Sequence, residues 1–356
     1  MLEFIKEKES LWEYLKKTTK SIYIYGMGDG ALKIISVLEQ LNITLAGIYA
    51  SDEFVRGHSF YGFIVKRLDQ VKAEAGEFIT LLAFATQREP LLSHIYEMSE
   101  ELELYAPDVP VVKTDDELFD IDFIKKHENE FDFVYNHLSD ELSKKVLIDI
   151  LNFKVSGKIG YLKGCSTEIG EVYTHIIKPT SNEVYVDLGA YNGDTVVEFL
   201  SYANSAAKIV AFEPDKKNFK RLNKTLLEKD ITAECYNIGA WSCEDTLYFQ
   251  GGKGGRNSKL NEFGQIDIPV NSVDNILLGK EATLIKLDVE GAETSAIQGC
   301  EKTITQFSPK LMVSSYHKND DLFSLPIQLL KLNPNYKVFL RHHPYIPAWE
   351  TNYYFI

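Results

Sequence analysis

The stretch EVYVDLGAYNGDT, residues 183–195, decides the fold of the larger part of this 356-residue chain. It predicts a short strand that ends near Asp187, a glycine-containing turn and then a helix. The stretch KIVAFEPD, residues 208–215, predicts a second strand that ends in Glu213. Short β-rich runs alternate with helical segments from here onward, which is typical of a doubly wound parallel sheet. A carboxylate at the position of Glu213 can accept hydrogen bonds from both hydroxyls of a ribose.

A third stretch, LIKLDVEGAETSAIQG at residues 284–299, combines a buried strand with several charges. Strand alternation places Lys286, Asp288 and Glu290 on one face. The carboxyl end of a strand in such a sheet borders the ligand crevice, so we expect these charges to face it. We predict that Asp288 and Glu290 bind a ligand, and that Glu293 caps the helix that follows.

These three stretches resemble the S-adenosylmethionine-dependent methyltransferases, and within them the FkbM-type family of O-methyltransferases. The resemblance runs from about residue 180 to the end of the sequence, and Tyr191 departs from many members, which have Asn after Ala190. It implies S-adenosyl-L-methionine as cofactor, with Asp187 facing its ammonium group, Glu213 holding its ribose and Asn237 near its adenine. The full set of implied cofactor-binding residues is Asp187, Gly189, Ala190, Gly193, Glu213, Asn237 and Asp288.

The catalytic residues that we predict are Asp288 and His317. His317 follows the apolar run KLMVSSY, so it falls at another carboxyl end beside the crevice, and an imidazole can take a proton near neutral pH. A hydrogen-bonded surface histidine is the alternative. A second alternative is that Asp288, Glu290 and His317 hold a divalent cation, but we expect no metal because the ligand pattern differs from that of metal-dependent methyltransferases.

The segment GGKGGRNSKL, residues 251–260, is a glycine-rich loop with local positive charge in a chain of net charge −14. Such loops often form mobile lids over a site. We predict that Lys253 and Arg256 contact a phosphate or carboxylate on the acceptor. The alternative is a solvated hairpin loop.

The amino-terminal part predicts a smaller Rossmann-like βαβ unit. A strand at residues 22–25 is followed by GMGDGA at residues 26–31, a helix and a second strand, ITLAGIYAS, at residues 43–51. A dinucleotide site also needs an acid near the end of the second strand, and Asp52 falls past that end. An NAD-dependent oxidoreductase that uses this loop therefore remains an alternative function.

The run from Leu45 to Val71 resembles the amino-terminal domain of bacterial sugar O-acyltransferases. In that family the domain contacts a nucleotide-sugar, and this likeness favours a sugar acceptor by analogy of fold. A nucleotide-sugar-binding protein with an inactive methyltransferase fold is the third alternative.

The sequence predicts three segments. Residues 1–113 form a Rossmann-like domain, residues 114–180 a helical connector and residues 181–356 an FkbM-type methyltransferase domain. Within the connector, Ser139 is predicted to cap a helix. The fold class is therefore α/β, with a doubly wound methyltransferase sheet preceded by a smaller βαβ domain.

Composition limits the class of partner. The net charge of −14 opposes a large nucleic-acid surface, and the four cysteines include no CxxC pair. No apolar stretch predicts a signal peptide or a membrane span, so we expect a cytoplasmic protein. The expected function is O-methylation of a hydroxyl on a sugar, glycan precursor or other natural product, and a homodimer is left open.

Overall fold

The computed structural model describes residues 1–55, 57–112, 117–250, 259–260 and 266–356. It is an α/β protein with two separate, mainly parallel sheets, as the sequence predicts. The strands are β1 (Ser21–Tyr25), β2 (Gly47–Tyr49), β3 (Ser59–Phe60), β4 (Phe63–Ile64), β5 (Phe78–Leu82), β6 (Glu103–Tyr105), β7 (Val184–Leu188), β8 (Lys208–Phe212), β9 (Glu234–Tyr236), β10 (Gly239–Ala240), β11 (Asp245–Gln250), β12 (Lys259–Leu260), β13 (Ile266–Asn271), β14 (Leu284–Leu287), β15 (Lys310–Ser314), β16 (Val338–His342) and β17 (Thr351–Phe355). The helices are α1 (Leu11–Lys17), α2 (Asp29–Gln40), α3 (Leu68–Ala75), α4 (Glu89–Glu101), α5 (Ile121–Lys126), α6 (Glu128–His137), α7 (Glu141–Ser156), α8 (Gly160–Cys165), α9 (Ile169–Val172), α10 (Asp194–Ala203), α11 (Lys216–Glu228), α12 (Val273–Leu277), α13 (Glu293–Gln298), α14 (Glu301–Phe307) and α15 (Asp321–Leu332).

The amino-terminal sheet has the order β2-β1-β5-β6 and is parallel throughout. Its first turn needs glycine for packing, because a Cβ on Gly30 would lie 2.3 Å from the carbonyl oxygen of Ala83. Asp52 begins a short 3-10 turn beyond β2, and its exposed carboxylate lies 3.8 Å from Arg67. The acid thus lies past the strand end, where a dinucleotide ribose would not meet it.

The carboxy-terminal sheet has seven strands in the order β16-β17-β15-β14-β7-β8-β9. All neighbours are parallel except β17, which runs antiparallel to both β15 and β16. The apolar residues of β14, and those of β7 after Val184, are fully buried, as expected for central strands with helices on both faces. The strand order reverses between β7 and β14, and a crevice opens outside the carboxyl ends at such a switch point. A smaller sheet of β10, β13, β11 and β12 lies in the segment between β9 and β14.

The predicted helical connector packs on the edge of this larger sheet. Asp140 caps α7 by accepting a hydrogen bond from the Ser143 N–H, so the cap lies one residue later than predicted. The hydroxyl of Ser139 instead accepts a hydrogen bond from the Val338 N–H of β16. The prediction of Ser139 as the cap is therefore wrong, because its hydroxyl is held by a distant strand.

The two parts of the chain are joined by further contacts. Thr86 and Ile346 exchange two backbone hydrogen bonds of 2.8 and 3.0 Å. The Val112 N–H donates to the carbonyl oxygen of His317, at 3.2 Å. The amino-terminal part therefore reaches the carboxyl edge of the larger sheet. Among the described residues, no helix has both the length and the apolar character needed to cross a bilayer.

Candidate active site

The turn after β7 is built around close backbone packing. Gly189 has φ +85°, and a Cβ there would lie 1.9 Å from the carbonyl oxygen of Asp288. Gly193 has φ +86°, and its Cβ would lie 3.1 Å from Leu222. The N–H groups of Gly189 and Ala190 both donate to the carbonyl oxygen of Phe212. These glycines therefore pack the turn against β14 and α11. That they also let the protein backbone approach the cofactor stays a prediction.

Glu213 lies directly after β8, and its carboxylate links the loop after β7 to the loop after β8 by hydrogen bonds. Its carboxylate accepts hydrogen bonds from the N–H of Tyr191 at 2.9 Å and of Asp215 at 2.8 Å. Each carboxylate oxygen keeps a further lone pair for a ligand hydroxyl. Burial raises the pKa of Glu213 to about 7, although these backbone hydrogen bonds work in the opposite direction. A ligand that donates hydrogen bonds would favour the ionised form.

Asn237 follows β9 at the same edge of the sheet. Its amide donates to the carbonyl oxygens of Glu213 at 2.8 Å and Pro214 at 3.0 Å. Both contacts hold the loop that carries Glu213. The amide therefore has a positioning role, and contact of this residue with adenine stays a prediction.

Asp187 is fully buried at the end of β7. One oxygen accepts a hydrogen bond from the Thr195 hydroxyl, and the other lies 3.5 Å from Nζ of Lys286 on the adjacent strand. Burial raises the pKa of Asp187, and Lys286 offsets only part of this rise. This pairing opposes the predicted contact of Asp187 with an ammonium group, because the carboxylate faces a lysine of the sheet rather than the crevice.

Asp288, Glu290, Glu293 and His317 converge beyond β14 and β15. Nε2 of His317 lies 3.5 Å from Asp288 and 3.7 Å from Glu290, while Nδ1 lies 3.0 Å from Glu293. Glu293 has no exposed surface and accepts hydrogen bonds from the N–H groups of Val289 and Gly291. It thus organises the turn before α13, as well as facing the imidazole. Strand alternation correctly placed Lys286 beside Asp288, with Nζ and Oδ2 3.7 Å apart.

The surroundings of His317 oppose its predicted role as general base. Burial lowers the pKa of an imidazole, but Glu293, Asp288 and Glu290 outweigh burial and raise the pKa of His317 to about 10. The group is an imidazolium at neutral pH and has no lone pair to accept a proton. By contrast, Lys286 and His317 hold the pKa of Asp288 below its ordinary value, against the effect of burial. Asp288 is therefore an anion in the crevice.

Two residues near this cluster were missed from the sequence. The Tyr316 hydroxyl lies 3.4 Å from Asp288. Glu350 immediately precedes β17 in the left-handed backbone region, with φ +59°. Burial and the charge of Asp288 raise the pKa of Glu350 to about 7. Because β17 is antiparallel to β15, its first residues lie at the carboxyl edge of the sheet. No motif signals this position, since it depends on the direction of the last strand.

The amino-terminal part contributes to the rim. A Cβ on Gly291 would lie 3.0 Å from Val112 and 3.4 Å from Lys318. The amide of Asn319 donates to the carbonyl oxygen of Glu117 at 2.9 Å. Val112 and Glu117, which flank residues 113–116, therefore pack against the loops after β14 and β15. The predicted acceptor contacts Lys253 and Arg256 lie outside the described residues.

Comparisons with known proteins agree with this architecture. Residues 187–345 match the family model of the methyltransferase FkbM domain. A solved structure of methyltransferase FkbM from Methylobacillus flagellatus KT is 20% identical and aligns over 100% of this chain and 92% of its own, with a TM-score of 0.74. That identity supports a shared fold and no finer inference.

More distant structures cover about half of the chain. An rRNA methylase from Streptococcus thermophilus is 12% identical over 53% of this chain and 96% of its own, with a TM-score of 0.36. A methyltransferase from Pyrococcus furiosus is 14% identical over 52% and 79%, with a TM-score of 0.32. These scores are too low to support an inference, and no curated protein matches the chain. Residues 187–345 thus match the methyltransferase FkbM domain, and the chain shares the fold of the solved FkbM methyltransferase.

Proposed function

We propose that this protein transfers a methyl group from S-adenosyl-L-methionine to a hydroxyl of a sugar, glycan precursor or other natural product. The observation that carries the proposal is the position of Glu213. It is a buried carboxylate at the end of the strand beside the switch point, held by the turn that carries Gly189. In a doubly wound sheet that position meets the ribose of a bound nucleotide. The FkbM methyltransferase domain supports methyl transfer as the chemistry.

The charge of the crevice also favours a cationic donor. Asp288, Glu290 and Glu350 lie around the carboxyl ends of β14 and β15, and the buried Lys286 is already shared between Asp187 and Asp288. S-adenosylmethionine supplies an electrophilic methyl group on a positively charged sulfonium. A negative, partly desolvated site stabilises such a cation more strongly than water does.

The proton balance of the reaction assigns a role to Glu350. A new O–CH3 bond forms, the S–CH3 bond breaks with its electron pair going to sulfur, and the acceptor hydroxyl loses a proton. His317 already carries its proton, so we assign this proton to Glu350, whose pKa of about 7 suits a general base near neutral pH. Asp288 keeps its predicted place beside the donor's charge or the acceptor hydroxyl.

Isotope transfer tests the proposal. Protein incubated with methyl-labelled S-adenosylmethionine and a panel of sugars, nucleotide-sugars and amines is expected to place the label on oxygen. Glu350→Gln is expected to lower the transfer rate about 100-fold because it removes the proton acceptor, while S-adenosylhomocysteine, which has no sulfonium charge, should bind as it does to the wild type. The charge-matched control is Glu228→Gln, an exposed residue of α11, which should transfer at the wild-type rate. Label found only on amines would contradict O-methylation.

A further inference from the structure

We propose that Asp288, Glu293 and His317 hold a divalent metal ion at the acceptor side of the crevice. The inference rests on the proposed methyl transfer and extends it to the way in which the acceptor hydroxyl is bound. It replaces the expectation from sequence that no metal is present, and it exchanges Glu290 for Glu293 in the alternative ligand set.

The first support is geometry. One ligand atom from each of the three residues lies within 4.8 Å of the other two. Oδ1 of Asp288 lies 3.5 Å from Nε2 of His317, and Oε1 of Glu293 lies 3.0 Å from Nδ1. Ligand atoms on one ion with bonds of about 2.1 Å lie roughly 3 Å apart. Asp288 and Glu293 face different ring nitrogens, so a common ion would require the imidazole ring or the Glu293 carboxylate to rotate.

The second support is independent of acidity. Oε2 of Glu293 is buried and has no hydrogen-bond partner within the described residues, whereas Oε1 of the same side chain faces Nδ1 of His317 at 3.0 Å. The Glu293 side chain is 0% exposed. Buried polar atoms in native proteins nearly always have partners, and an ion is one explanation for those that do not. Here the unpartnered oxygen belongs to the cluster.

The charge and the donor types point to the class of ion. Two carboxylates and an imidazole form the set, with Glu290 at 3.7 Å from the ring and Lys286 as a neighbouring amine. In the metal-free protein the carboxylates hold a proton on His317, so an ion would bind the imidazole only by displacing that proton. A mixed nitrogen and oxygen set suits Mn²⁺, Fe²⁺, Co²⁺ or Zn²⁺ better than Ca²⁺.

The position of the cluster indicates what the ion would do in the reaction. Asp288 follows β14 at the switch point, and its carbonyl oxygen packs against Gly189 of the turn that leads to Glu213. A cation bound there would coordinate the acceptor oxygen and make its proton easier to remove. This would place the acceptor hydroxyl beside the donor and leave Glu350 to take the proton.

The test uses the full-length protein, stripped with chelator and dialysed, and Mn²⁺ alone as the probe. Calorimetric titration is expected to show one site of micromolar affinity, and electron paramagnetic resonance to show coupling to a histidine nitrogen. Asp288→Asn and Glu293→Gln should each weaken Mn²⁺ binding at least tenfold, and Glu228→Gln should leave it unchanged. Circular dichroism checks that the variants are folded.

The outcomes separate this inference from the proposed function. Wild-type protein that binds S-adenosylhomocysteine but shows neither Mn²⁺ heat nor nitrogen coupling at millimolar metal would overturn the metal site alone. Protein that binds Mn²⁺ with nitrogen coupling but not S-adenosylhomocysteine would keep the metal site and remove the proposed donor. Nitrogen coupling in the wild type decides the point even if a variant fails to fold.

Discussion

Replacing Gly189 with alanine is expected to destabilise the protein by about 2–4 kcal/mol. The new methyl group would lie 1.9 Å from the carbonyl oxygen of Asp288, far inside van der Waals contact, and the position has φ +85°. The left-handed backbone costs a non-glycine residue about 1 kcal/mol, and forcing backbone apart in a packed core adds about 1–3 kcal/mol. Either the turn or the end of β14 must move, and both border the proposed site.

Two other glycines separate the causes of this loss. Gly279 has φ +78° with no atom of the described residues within 4 Å of its Cβ position, so Gly279→Ala carries backbone strain alone. Gly160, the first residue of α8, has neither a clash nor a positive φ, and Gly160→Ala should be neutral or slightly stabilising. The free energy of unfolding is measured in urea. If Gly189→Ala and Gly279→Ala lowered the free energy of unfolding equally, the close contact with Asp288 would not contribute to the effect.

Lys286→Met is expected to cost about 3 kcal/mol, because it leaves the buried carboxylate of Asp187 without its cation. Folding already raises the pKa of Asp187, and the substitution raises it further. At pH values between the pKa of Asp187 in the unfolded chain and its higher pKa in the folded variant, the native state binds more protons than the unfolded state. Stability of the variant therefore falls as pH rises, so the loss should be larger at pH 8 than at pH 5.

A double-mutant cycle checks the cause. Adding Asp187→Asn to Lys286→Met should recover part of the loss, since the fully buried carboxylate is then removed and Asp288 keeps His317 as a neighbouring cation. Lys17→Met is the matched control. Its ion pair with Glu9 is shorter, at 2.7 Å, but exposed to solvent, so its removal should cost much less stability than the removal of Lys286. Equal losses from Lys286→Met and Lys17→Met would contradict the role of burial.

The fold was predictable because its signals are local. The run around Asp187 and the run that contains Lys286 each combine a buried strand with a polar residue at its carboxyl end, and both appear as β7 and β14. Period-two alternation was enough to place Lys286 and Asp288 side by side. Parallel pairing then brings the ends of separate strands to one edge, where Glu213 also lies.

The electrostatics of the site could not be predicted in the same way. His317 follows a strand as expected, but its proton affinity depends on Glu293, which is 24 positions away and reaches the ring only in the folded chain. Glu350 is near Asp288 because the last strand is antiparallel, a property that its sequence does not encode locally. Ser139 shows the same limit, since a contact with Val338 displaced it from the predicted cap.

The most direct test of the account is calorimetric titration with S-adenosylhomocysteine, on wild-type protein and on Glu213→Ala and Glu213→Gln at pH 6 and pH 8. The account predicts micromolar binding by the wild type and a loss of tenfold or more in Glu213→Ala, about 1.4 kcal/mol. Because ribose hydroxyls donate to the ionised carboxylate, whose pKa is about 7 in the free protein, wild-type affinity should rise from pH 6 to pH 8. Glu213→Gln should bind weakly and without this pH dependence. Absence of binding by folded wild-type protein, or equal affinity in Glu213→Ala, would contradict the proposed donor site.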